Sequence, residues 1–188
     1  MEQDKVSLRE LLRADLERQR LLFNASPITS RTKKILSVFS PRFAPILLYR
    51  LAYKSNNSGL KTLARLFSLL NFTIFGIEIA VACKIGPGLF FPHTQGTVIG
   101  AVSIGDNAVI YQGVTIGAKD LDFTFDIDHR PVVGHNVVIG AGAKILGGLT
   151  LGNNVIVAAN SVLLMSVPAD VTVAGIPAKI VKQRTTQS

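Results

Sequence analysis

The chain has 188 residues, nearly half of them apolar, enough to bury the core of one compact domain carrying an appendage. Its single cysteine, Cys83, excludes an internal disulfide, no signal-like sequence opens the chain, and the longest uncharged apolar run, Leu66 to Ile77, has 12 residues, where a bilayer span needs roughly 18–20. A reducing, cytoplasmic setting is expected, and the net charge of +8 is unevenly placed: residues 1–76 hold 13 Lys and Arg against 5 Asp and Glu, while residues 77–188 hold 7 of each.

In residues 5–23, Leu8, Leu11, Leu12, Leu16 and Phe23 fall at the spacing of one helix face, with Arg and Glu between them. Beyond the breaker at Ser26-Pro27, residues 31–75 mix aliphatic and aromatic residues with Arg31, Lys33, Lys34, Arg42, Arg50, Lys54, Lys61 and Arg65 and contain no acid. Pro41 and Pro45 interrupt this stretch and Asn56-Asn57-Ser58-Gly59 divides it, which predicts two further helices with a turn between them. The first 76 residues therefore read as a basic helical region. Such a region is either a solvated surface or meets something anionic. It carries no recognisable nucleic-acid-binding motif, so nucleic acid is not an expected partner.

From residue 77 the pattern changes to a period of six. An aliphatic residue recurs at Val133, Ile139, Ile145, Leu151, Val157 and Leu163, and four residues after each comes Val137, Ala143, Leu149, Val155, Ser161 and Val167. The same frame appears earlier at Ile79 and Ile85, then at Ile104, Ile110 and Ile116, with Gly86, Gly105 and Gly117 following three of these. A helix repeats every 3.6 residues and a strand every two, so a period of six fits a solenoid that turns a corner every six residues. Three sides make an 18-residue triangular coil whose stacked turns pair their backbones in parallel. Cys83 falls four residues after Ile79, a core position.

Two interruptions break this frame and are candidate sites. One is the side from Phe91 to Val98, seven residues instead of six, containing Pro92-His93-Thr94-Gln95-Gly96. The other is an extruded loop, residues 118–131, where Asp120, Asp122, Asp126 and Asp128 alternate with Leu121, Phe123, Phe125 and Ile127. That alternation suits a short extended loop leaning on a neighbouring subunit better than a calcium site, and no metal is expected.

The stretch Lys84 to Phe90 followed by His93, then IGDNAVIYQGVTIG from Ile104 to Gly117, VIGAGAKILG from Val138 to Gly147, and VAGIPAKIV from Val173 to Val181 together resemble the hexapeptide-repeat acyltransferases. Within them they resemble the serine acetyltransferase branch and its sugar-acetylating relatives, over about residues 76 to 182. The resemblance implies a mainly β chain whose residues 77–182 form a left-handed parallel β-helix behind an N-terminal α-helical segment, with a short tail at 183–188. General crossover preferences alone predict the opposite hand. It further implies acetyl-CoA as co-substrate in a groove between neighbouring prisms, and a homotrimer or a pair of trimers.

His93 matches the family's catalytic histidine, an imidazole able to take a proton from an acceptor hydroxyl. Glu78 stands where these enzymes commonly have an aspartate that orients the histidine. Gly117, Ala118, Ala141 and Ala159 match small positions along the pantetheine arm, while Lys179 and Lys144 are candidates for a CoA phosphate. On the acceptor side the chain departs from the serine branch: Pro92 replaces an aspartate that helps bind the amino acid, and the loop reads His129-Arg130-Pro131 where the family ends with arginine, histidine and proline. His129 and Arg130 are the substrate-binding candidates. The shorter helical region and a tail ending Thr185-Thr186-Gln187-Ser188 also depart. These departures predict a sugar hydroxyl in surface-polysaccharide assembly, worked at the inner membrane face through peripheral contact by the basic helices. L-serine is the alternative acceptor, and a non-catalytic assembly protein the alternative of another class.

Overall fold

The computed structural model describes residues 6–24, 40–122 and 124–183. Arg31, Lys33 and Lys34 of the predicted second helix, Phe123 of the loop and the tail residues 184–188 lie outside them. Helix α1 (Leu8–Leu22) opens on a capping box: Ser7 Oγ accepts from the Glu10 amide, and the Glu10 carboxylate accepts from the Ser7 amide at 2.8 Å. Helix α2 (Ala44–Asn57) has Pro45 in its first turn, where a missing N–H costs nothing. Helix α3 (Lys61–Phe75) ends at Gly76, left-handed at φ 60°. A side chain on Gly76 would also collide with Gln95, which packs against this turn. No described helix is long and apolar enough to cross a membrane.

Among the described residues fourteen short strands follow, stacked into three sheets that form the sides of a prism. The first sheet runs β1 (Ile77–Ile79), β3 (Thr97–Ile99), β6 (Thr115–Gly117), β9 (Lys144–Leu146) and β12 (Val162–Leu163). The second runs β2 (Lys84–Ile85), β4 (Ser103–Ile104), β7 (Val132–Val133) and β10 (Thr150–Leu151). The third runs β5 (Val109–Ile110), β8 (Val138–Ile139), β11 (Ile156–Val157), β13 (Val171–Gly175) and β14 (Ala178–Gln183). All neighbours are parallel except β13 and β14, an antiparallel hairpin that closes the C-terminal end.

The six-residue frame explains the core. Val133, Ile139, Ile145, Leu151, Val157 and Leu163 all point inward and are buried, as are the smaller residues four positions on. Each buried aliphatic side chain contributes roughly 1.5–3 kcal/mol. Cys83 is buried among them, and burial pushes its thiol up to about 12. At one corner Asn107, Asn136, Asn154 and Asp170 are all left-handed, a conformation these short polar side chains tolerate. They stack into a ladder in which each asparagine amide donates to the next coil's side chain, at 3.1, 3.1 and 2.8 Å.

One expectation of register is corrected. Val98 was expected to point inward, seven residues after Phe91, but Ile99 does so and Val98 is exposed. Val98 pairs with Thr115 and Ile99 with Ile116, while Phe90 bridges Val109 one coil away. The irregular side thus carries two extra residues relative to the coil above it, and His93 lies within that bulge.

The helices close the other end of the prism. The first coil has no coil below it, so the β2 edge would leave backbone groups unpaired. Tyr49 Oη donates to the Cys83 carbonyl at 2.7 Å and accepts from the Ile85 amide at 3.1 Å. Arg50 donates to the carbonyls of Ile85 and Gly86, and pairs twice with Asp15 of α1 at 3.0 Å. Asp15 in turn accepts from the Leu89 amide at 2.9 Å. Both charges are almost fully buried.

Candidate active site

His93 is exposed on a segment held from three directions. The carbonyl of Pro92 accepts from Arg42 Nε at 3.3 Å, and the Arg42 guanidinium lies over the Phe23 ring, which packs edge-on against Phe90. Thr94 Oγ1 donates to the Phe75 carbonyl at the end of α3, at 2.8 Å. The Gln95 carbonyl accepts from Gly113 in the next coil. The backbone around His93 is therefore fixed while its imidazole has no hydrogen-bond partner among the described residues. Glu78 is exposed on β1, paired in register with Val98, and no hydrogen bond joins it to His93. Both are exposed, and His93 lies at the corner that leads into β3.

That corner is a backbone ladder. Gly96 donates to Gly76, Gly113 to Gln95, Gly142 to Gln112 and Asn160 to Ala141. Ala141 and Ala159 therefore stack above the His93 side, one per coil. Lys144, at the start of β9, donates from Nζ to the Gly113 carbonyl, so its ammonium is held against the prism. Lys179 is exposed on β14.

Gly117 and Ala118 lie at the opposite end of the first sheet, and nothing stands within 4 Å of where a Gly117 side chain would begin. Ala118, Asp122, Asp126, His129, Gly147 and Gly148 are among the residues lining a cleft of about 590 Å³ under the extruded loop. His93 is not among them. The loop closes back on Asp122 and Arg130. Asp122 accepts from the Thr124 and Asp126 amides at 2.9 Å and from Arg130 Nε at 2.8 Å. Desolvation raises the Asp122 carboxyl, but these donors outweigh it and hold it down at about 2. At Gly148 the Asp128 carbonyl passes so close that no side chain would fit.

Arg130 completes the closure. It donates to the Gly100 carbonyl at 2.9 Å, forms an ion pair with Asp122 at 2.7 Å and stacks over Phe125. Its guanidinium is committed to the loop. His129 is largely exposed and lines the cleft, with Nδ1 2.9 Å from an Asp126 carboxylate oxygen. Asp122 carries a readable signal, an Asx-type spacing to Thr124. Nothing in the local sequence marks Arg42 or Gly148.

A three-sided prism wound on a six-residue repeat agrees with the hexapeptide-repeat resemblance carried by the sequence. Residues 130–164 match the family model described as bacterial transferase hexapeptide (six repeats). A serine acetyltransferase from Synechococcus elongatus is 37% identical over 86% of this chain and 65% of its own length; one from Staphylococcus aureus is 39% identical over 87% and 76%. Among solved structures, a serine acetyltransferase in complex with CoA superposes with TM-score 0.79 at 33% identity, covering 95% of this chain and 72% of its own. The Neisseria gonorrhoeae enzyme in complex with serine does so with TM-score 0.77 at 31%, covering 93% and 69%. The chain belongs to the serine acetyltransferase family, and its prism is the left-handed β-helix of that family.

Proposed function

We propose that the protein is an acetyl-CoA-dependent O-acetyltransferase whose acceptor is L-serine. The observation that carries this reading is the 37–39% identity, over 86–87% of the chain, to enzymes named serine acetyltransferase. The His93 imidazole removes the proton from the acceptor hydroxyl as its oxygen attacks the thioester carbonyl. Collapse of the tetrahedral intermediate breaks the carbon–sulfur bond, and the imidazolium returns its proton to the departing thiolate. Glu78, rotated toward His93, accepts the other ring N–H and stabilises the imidazolium.

His93 and His129 stand at opposite ends of one chain's first sheet, which supports a homotrimer in which each groove takes His93 from one prism and the loop with His129 from its neighbour. Gly117, Ala118, Ala141 and Ala159 then leave room for the pantetheine arm, and Lys179, exposed on β14, meets a CoA phosphate. Exposed Leu121 and Ile127 suit a loop covered by an adjacent subunit. Trimer or pair of trimers, the site needs the neighbour.

A sugar hydroxyl is the second reading, favoured by Pro92, which offers no carboxylate to an amino acid's ammonium. CoA release from acetyl-CoA, measured with L-serine and in parallel with sugar and oligosaccharide acceptors, separates the two. Turnover with serine is the expected result. Turnover only with a glycan transfers the assignment to the second reading, and no release with any acceptor overturns both.

A further inference from the structure

Helix α3 carries large apolar side chains well beyond the side that its partners cover. Ala64 and Asn71 face inward, Asn71 donating to the Pro45 carbonyl at 3.0 Å. On the far side Leu66, Leu69 and Phe72 are 50, 57 and 58% exposed. Large apolar side chains exposed together, with Thr62 and Thr73 the only exposed uncharged polar residues of the helix, mark a surface that meets a partner. At 100° per residue, Lys61 and Arg65 fall on the same edge as Phe72. Both cations are exposed, and no ion pair among the described residues holds them.

Charge selects the occupant. Between Glu17 and Glu78 the chain has ten Lys and Arg and not one acid. Pairing α3 with α3 of a second copy would bring like charges together, and neither α2 nor α3 carries a carboxylate to answer them. An anionic bilayer surface answers both features at once. Leucine and phenylalanine enter the acyl boundary while the long cationic side chains reach back to the headgroups.

We propose that the exposed face of α3, centred on Leu66, Leu69 and Phe72 and edged by Lys61 and Arg65, docks the protein on an anionic lipid surface. None of these residues belongs to the acyl-transfer machinery, so the docking is independent of which acceptor the enzyme uses. The purified full-length chain would be floated with vesicles of neutral phosphatidylcholine and with vesicles containing about 30% phosphatidylglycerol, at low and high salt.

Binding to the anionic vesicles alone, weakened by salt, is expected. The pair Leu69→Ser and Phe72→Ser should reduce it about tenfold or more, and the charge-reversing pair Lys61→Glu and Arg65→Glu should do the same without touching the apolar face. Acetyl transfer should be unchanged in both pairs. Equal recovery with neutral and anionic vesicles overturns the proposal. So does a drop in native mass of the Leu69→Ser, Phe72→Ser protein, which would make the face a contact between copies of the chain.

Discussion

His93 is carried by a tethered backbone, and its side chain makes no hydrogen bond among the described residues. Arg42 on the Pro92 carbonyl and Thr94 on the Phe75 carbonyl fix the peptide on either side of it. The imidazole itself is exposed and waits for a partner, which is how a general base that must meet a substrate hydroxyl should stand. His93→Ala should lower acetyl transfer by about 100-fold or more while leaving the circular dichroism spectrum intact, because general-base catalysis contributes that much and the ring is exposed. An unchanged rate in a folded protein would remove His93 from the reaction. Cys83 presents the opposite case. With its thiol pushed up to about 12 by burial, the reactive thiolate is scarce at pH 8 and the reagent has no path to it. A chromogenic disulfide reagent should therefore label the native protein far more slowly than the urea-unfolded chain, and rapid stoichiometric labelling of the native state would contradict the core placement.

The extruded loop is an element whose fold depends on one carboxylate. Asp122 has a folded pKa of about 2, below the roughly 3.9 of an unfolded aspartate. Its ionised form is the one the Arg130, Thr124 and Asp126 donors favour. The stabilisation is therefore fully present above about pH 4 and is lost as the pH falls through 2. Amide exchange at Thr124 and Asp126 should lose protection over that window, and Asp122→Asn should reproduce the loss at pH 7. Protection that stays flat from pH 5 to pH 2 would show that something else holds the loop.

The existence of this loop was legible, since it breaks a six-residue frame that is kept from Ile104 to Ile116 and again from Val133 to Leu163. Its mechanics were not. Arg130 read as a guanidinium available to substrate, whereas its partners Gly100 and Asp122 come from another coil and from the loop's far end. The inward residue of β3 was missed for a related reason: Val98 and Ile99 are adjacent and both apolar, so a bulge of two residues cannot be told from one of one by hydropathy alone. The helices, by contrast, were legible from their own spacing. Which groups they would meet was not, because Asp15 and Arg50 are 35 residues apart and their pairing is decided by the prism edge between them.

That edge makes the helices and the prism one molecule in a thermodynamic sense. A solenoid is stable through contacts between neighbouring coils, and its terminal coil needs a cap. Here the cap is α1 and α2, and its polar centre is the Asp15–Arg50 pair buried against Ile85, Gly86 and Leu89. Removing one member of such a pair leaves the other charge buried and uncompensated, which costs about 3–5 kcal/mol, much more than either contributes when both are present. Asp15→Ala should therefore shift the urea transition to lower concentration by that free energy. Because Arg50 also holds the β2 edge, the loss should be felt on both sides of the boundary at Gly76. Hydrogen exchange should quicken in α1 and in β2 and β4 together. If only α1 loosened while β2 and β4 kept their protection, the helical region would be an appendage resting on a self-sufficient prism, and the cap would have to be sought in the strands alone.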